Sequence, residues 1–118
     1  MNSSFDLVTI DSPQPGVLAA FWCAALTLHE TQREDGDRWL VLSDVGGVRR
    51  IGLQRGMHTP GGVHLDLACR PDAFTAEIAR LVALGAALVQ RPRHEPYGSI
   101  ANLVDPDGNQ FDLCAYRT

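Results

Sequence analysis

The chain has 118 residues, 45% hydrophobic and 20% charged, a balance that suits one compact globular domain and excludes a disordered chain. Its formal charge of -4 argues against a nucleic-acid groove or an anionic membrane surface as the main partner, because no cationic surplus is left to neutralise phosphates. Three scattered cysteines, Cys23, Cys69 and Cys114, form no Cys-x-x-Cys pair, and no basic n-region or membrane-length apolar run occurs. The expectation is a cytoplasmic protein without a disulfide framework.

Phe5 to Ile10 reads as a strand, ended by Asp11-Ser12-Pro13-Gln14-Pro15-Gly16. Val17, Leu18, Phe21, Trp22, Ala25 and Leu26 recur at helical spacing, which predicts a helix from Pro15 to Leu26 with Trp22 in its core-facing stripe. Thr27 to Arg33, Trp39 to Leu42 and Val48 to Gln54 follow as strands, separated by the turns Glu34-Asp35-Gly36-Asp37 and Asp44-Val45-Gly46-Gly47. His29 reads as a surface residue. His58 falls in the polar, Gly- and Pro-rich connector from Gly56 to Gly62, which divides the chain.

Beyond the connector the order repeats. Val63 to Cys69 reads as a strand, Ala73 to Leu84 as a helix with Asp72 as N-cap and Gly85 as its stop, and Ala86 to Gln90 as a strand. Arg91 to Gly98 reads as a loop at the rim of the fold, with Tyr97 its most notable side chain. Ser99 to Val104 and Gln110 to Ala115 form a hairpin around Asp105-Pro106-Asp107-Gly108-Asn109. Local text recurs as well, since Trp39 to Gly47 parallels Ser99 to Gly108.

This tandem βαβββ order resembles the vicinal oxygen chelate superfamily of glyoxalases, bleomycin-resistance proteins and extradiol dioxygenases, most of all its short glyoxalase-like domains. The residues that carry the likeness are Phe21-Trp22 in the first helix and Val63-His64-Leu65-Asp66-Leu67 after the connector. Leu84-Gly85-Ala86 at the second helix end and Asp105-Pro106-Asp107-Gly108-Asn109 complete the set. The resemblance implies an α+β fold in a single domain, residues 1–118. Two βαβββ modules, residues 5–56 and 62–116, would form an open cup-shaped mixed sheet with the helices outside. It also implies homodimers, and in metal-dependent members ligands from the first and last strand of each module.

On that pattern His64 and Asp112 match the ligand positions of the second module, and both suit a divalent metal such as Zn, Ni, Mn or Fe. The mirrored positions in the first module are Leu7 and Gly52, which cannot ligate. A two-residue slip on the same face offers Thr9 and Gln54 instead, of which only Gln54 is a usable oxygen ligand. Strand alternation points His64, Asp66, Asp112, Cys114 and Gln54 into the cup, along with Trp39, Val41 and Ser43.

Three accounts of this group stay open. His64 and Asp112 bond one another as a satisfied core pair; or they orient a small ligand while Trp39, Gln54, Asp66 and Tyr97 line its site; or His64, Asp112 and Gln54 hold a metal for a lyase, isomerase or dioxygenase. The reading taken from the sequence is a glyoxalase-like small-molecule-binding protein with an incomplete metal site. His64 and Asp112 are its central or catalytic pair, and the metal-dependent enzyme is the alternative.

Overall fold

The computed structural model describes residues 5–61 and 64–116. Gly62, the last residue of the connector, and Val63, the first residue of the strand expected over Val63 to Cys69, lie outside them. The chain forms two compact units, Met1–Thr59 and Pro60–Thr118, and each is a mixed sheet with one helix. The fold is α+β, built of βαβββ-like modules. Among the described residues no helix is long and apolar enough to cross a membrane.

In the first unit β1 (Val8–Ser12) leads into α1 (Pro15–Leu26), followed by β2 (His29–Glu34), β3 (Trp39–Ser43) and β4 (Arg49–Arg55). The sheet order is β1-β4-β3-β2, with β1 parallel to β4 and the other pairs antiparallel. Pro15 opens α1 where a missing N–H costs nothing. The helix ends at Thr27, which takes the left-handed conformation (φ 55°) and donates its N–H to Cys23 O. The reversal delays β2 to His29, two residues later than the sequence suggests. Leu18, Phe21 and Trp22 are buried as predicted, and the Phe21 and Trp22 rings meet edge to face at 5.0 Å.

The second unit runs β5 (Leu65–Ala68), a 3-10 turn (Pro71–Ala73), α2 (Phe74–Leu84), β6 (Ala87–Leu88), β7 (Arg93–Glu95), β8 (Gly98–Val104) and β9 (Gln110–Tyr116). Its order is β5-β9-β8-β6, with β7 also paired to β8 and β5 parallel to β9. Phe111, Leu113, Ala115, Leu103 and Ala101 alternate onto one buried face. Phe74 of α2 touches His94 of β7 on that side, with ring centroids 6.1 Å apart.

Two expectations are corrected here. Arg91 to Gly98 is not loop throughout, because Arg93–Glu95 pairs antiparallel with Gly98 to Ile100; a three-residue strand of charged residues carries no alternation to read. Asp72 is not the N-cap. It sits inside the 3-10 turn and accepts a hydrogen bond from Arg70, leaving Ala73 to open α2 without a side-chain cap. Gly85 does end the helix, at φ 125°.

The turns between β3 and β4 and between β8 and β9 repeat one construction. Asp44 Oδ1 accepts the N–H groups of Gly46 and Val48, both at 3.0 Å, and Gly47 at φ 82° completes the reversal. In the second unit Asp105 Oδ1 accepts the N–H groups of Asp107 (3.0 Å) and Asn109 (2.8 Å), with Gly108 at φ 85°. These turns fix the register of everything behind them.

Candidate functional site

Register assembles the site. Parallel pairing of β5 with β9 sets Asp66 beside Asp112, and antiparallel pairing of β8 with β9 sets Asn102 on its other side. His64, two residues before Asp66, joins the same group. Its Nε2 atom is 3.6 Å from Asp66 Oδ1 and 3.6 Å from Asp112 Oδ2. The three donor atoms lie within 4.8 Å of one another, the single such cluster of His, Cys, Asp or Glu among the described residues.

Both His64 contacts are longer than a hydrogen bond, so the satisfied core pair is not what forms. Asp112 instead accepts from Asn102, whose Nδ2 donates to Oδ1 at 2.7 Å. The Asp112 side chain is 13% exposed, against 51% for His64 and 67% for Asp66. One anchored carboxylate is thus flanked by two groups open to solvent.

In the first unit the equivalent register positions are filled differently. Thr9 lies beside Gly52 as Asp66 lies beside Asp112, and Leu7 precedes Thr9 as His64 precedes Asp66. A side chain at position 52 would begin 2.9 Å from Cζ3 of Trp39 and 3.1 Å from Cδ1 of Leu7. Glycine here makes room for the indole, and the position that carries an acid in the second unit is plugged by apolar atoms. Gln54 is exposed and pairs across the sheet with Trp39. Trp39 and Gln54, which the sequence reading groups with His64, neighbour one another in the first unit, and the titratable cluster is built on the second.

Tyr97 is half exposed and packs on Tyr116 at the end of β9, with ring centroids 6.3 Å apart. Their approach depends on Gly98, at φ 145°, where any side chain would run into the Ala115 carbonyl. The Cys114 side chain, by hydrogen bonding first and then by charge, raises the Tyr116 hydroxyl above its ordinary value, with smaller contributions from burial, Asp66 and Tyr97. All three cysteines are free. Burial, ahead of nearby carboxylates, pushes the Cys23 and Cys69 thiols up, away from reactive thiolates.

Sequence reasoning alone does not single out Asn102 or Tyr116. Asn102 was within reach: once the turn at Asp105 to Gly108 pairs Val104 with Gln110, counting back along both strands sets Asn102 opposite Asp112.

The glyoxalase-like domain profile matches residues 7–114. The chain belongs to the glyoxalase-like domain family. Comparison with curated proteins finds no match. Among solved structures it is similar to a glyoxalase/bleomycin resistance protein/dioxygenase family enzyme from Burkholderia phytofirmans PsJN, at 19% identity, TM-score 0.82, over 98% of this chain and 100% of that one. The fosfomycin resistance protein FosX from Listeria monocytogenes aligns at 21% identity, TM-score 0.76, over 99% and 94%. A glyoxylase/bleomycin resistance protein/dioxygenase domain from Frankia sp. EAN1pec aligns at 20%, TM-score 0.72, over 99% and 100%. At these identities the likeness is one of fold.

Proposed function

We propose that this glyoxalase-like protein binds a small, oxygen-bearing molecule at His64, Asp66 and Asp112, with a divalent cation in that group as the link to the ligand. The observation that carries the reading is the convergence of one imidazole and two carboxylates, with donor atoms within 4.8 Å, on a single module. The donor chemistry fits: an imidazole nitrogen with two carboxylate oxygens suits Zn, Mn, Fe or Ni. His64, Asp66 and Asp112 would hold the ion, and Asp66 supplies within the second unit a third donor in place of those lacking at Leu7 and Gly52. A divalent ion bound there would polarise ligand oxygens.

The chain's own groups have separate parts in this. Asp112, fixed by Asn102, contributes localised negative charge, and His64 and Asp66 stand at the solvent side where a ligand arrives. Tyr116, further along β9 from Asp112, and Tyr97, packed on it, present apolar ring surface in the same module, the usual complement to a few convergent polar groups. The enzymatic alternative, a metal-dependent lyase, isomerase or dioxygenase, draws on the same cluster and on a FosX relative whose mutant form is described in complex with Mn(II) and a dihydroxypropylphosphonic acid. A cytoplasmic homodimer is part of the reading.

The test is thermal unfolding of metal-free protein with and without Zn(II), Ni(II), Mn(II) or Fe(II). An ion that binds only the native state raises the melting temperature by mass action. A rise in wild type that is absent in His64→Ala supports the reading. No rise with any of the four ions overturns it.

A further inference from the structure

Asp112 does not stand alone on its strand. Asn102 Nδ2 donates to Asp112 Oδ1 at 2.7 Å, and Gln90 Nε2 donates in turn to Asn102 Oδ1 at 2.6 Å. The segment leading to Gln90 is itself tied to β8, through a 2.9 Å bond from Val89 N–H to Asn102 O. We infer that Gln90 and Asn102 are positioning residues for the His64, Asp66 and Asp112 site: a two-amide relay that fixes the Asp112 carboxylate, commits its Oδ1 and presents Oδ2 alone toward His64. The inference rests on the reading of that cluster as a cation and ligand site.

Three observations carry it beyond a pair of hydrogen bonds. The relay has a direction, because Asn102 accepts from Gln90 through Oδ1 and donates through Nδ2, so the next group along can only be an acceptor, which Asp112 is. An asparagine in mid-strand is also locally unfavourable, which calls for a reason at position 102. Finally, the two modules change together. Val41 faces Gly52 as Asn102 faces Asp112, and Val41 is fully buried. Where the acid is missing the amide is missing too. A residue kept merely to hold the strand would have no cause to follow the acid.

The experiment has a spectroscopic arm and a binding arm. In 15N-labelled protein the side-chain amide resonances of Asn102 and Gln90 report the relay directly. Asp112→Ala is expected to move both pairs, although Gln90 does not touch Asp112. In Mn(II) titrations Asn102→Ala is expected to weaken binding roughly tenfold or more, and Gln90→Ala about threefold. Gln90 is exposed, so its variant keeps the test available if Asn102→Ala fails to fold. Gln90 resonances indifferent to Asp112→Ala, or Asn102→Ala binding Mn(II) within about twofold of wild type, would overturn the positioning role while leaving the cluster a site. A wild type that binds none of Mn(II), Zn(II), Ni(II) and Fe(II) overturns the cluster reading itself, and the positioning role with it; if another of the four binds where Mn(II) does not, the variants are titrated with that ion.

Discussion

The indole of Trp39 lies over Gly52, and between them they occupy the place that Asp112 holds in the other module. Gly52→Asp therefore cannot simply restore a symmetric site. It should destabilise the protein by about 1–3 kcal/mol, because the new side chain starts inside the ring of Trp39. The double variant Trp39→Ala with Gly52→Asp should cost less than the sum of the singles, with a coupling of about 1 kcal/mol. Urea unfolding of the four proteins measures this; strict additivity would show that the indole does not fill the position.

Asp105 should be the most sensitive residue of the closing hairpin. It is 3% exposed, and its two oxygens accept from Asp107 N–H, Asn109 N–H and Asn109 Nδ2. Asp105→Ala strips the partners from these groups and should cost about 2–3 kcal/mol. Asp105→Asn, which keeps one acceptor, should cost roughly half. Because the turn sets the β8/β9 register, Asp105→Ala should also disturb the Asn102 side-chain amide resonance, which an equally destabilising change in the first unit should leave in place.

The counterpart turn predicts an acid response. The Val48 backbone N–H, with Arg50 and the Gly46 N–H, holds the Asp44 carboxyl below its ordinary value in the folded protein. A carboxyl depressed on folding stabilises at pH above its unfolded pKa, near about 4, and that contribution is lost as pH falls through the lower folded value. The difference in urea midpoint between wild type and Asp44→Asn should be largest near pH 6 and shrink toward about pH 3. A difference that grows as the pH falls would contradict the assignment.

Most of the architecture was written in local signals. The helix Pro15–Leu26 follows from a three-and-four apolar stripe behind a proline, and the hairpin from Asp-Pro-Asp-Gly-Asn; both stand in the structure. Short or charged strands such as Arg93–Glu95 carry no periodicity and were hidden. In the cluster, the residue types at His64, Asp66 and Asp112 were legible, as was the absence of donor side chains at Leu7 and Gly52. What fills the gap was not, because the place of Trp39 over Gly52 is a cross-strand packing fact. The role of Asn102 stood between the two cases: its position follows from the turn, but its partners appear only with both side chains in space.

The central claim is most directly tested by calorimetric titration of Mn(II) into metal-free wild type and into His64→Ala, Asp66→Ala and Asp112→Ala. The account predicts about one ion per chain in wild type and a loss of roughly tenfold or more in each variant, with Gln54→Ala unchanged. A wild type that takes up neither Mn(II) nor, in parallel titrations, Zn(II), Ni(II) or Fe(II), or three variants that bind the ion as tightly as wild type, would contradict it.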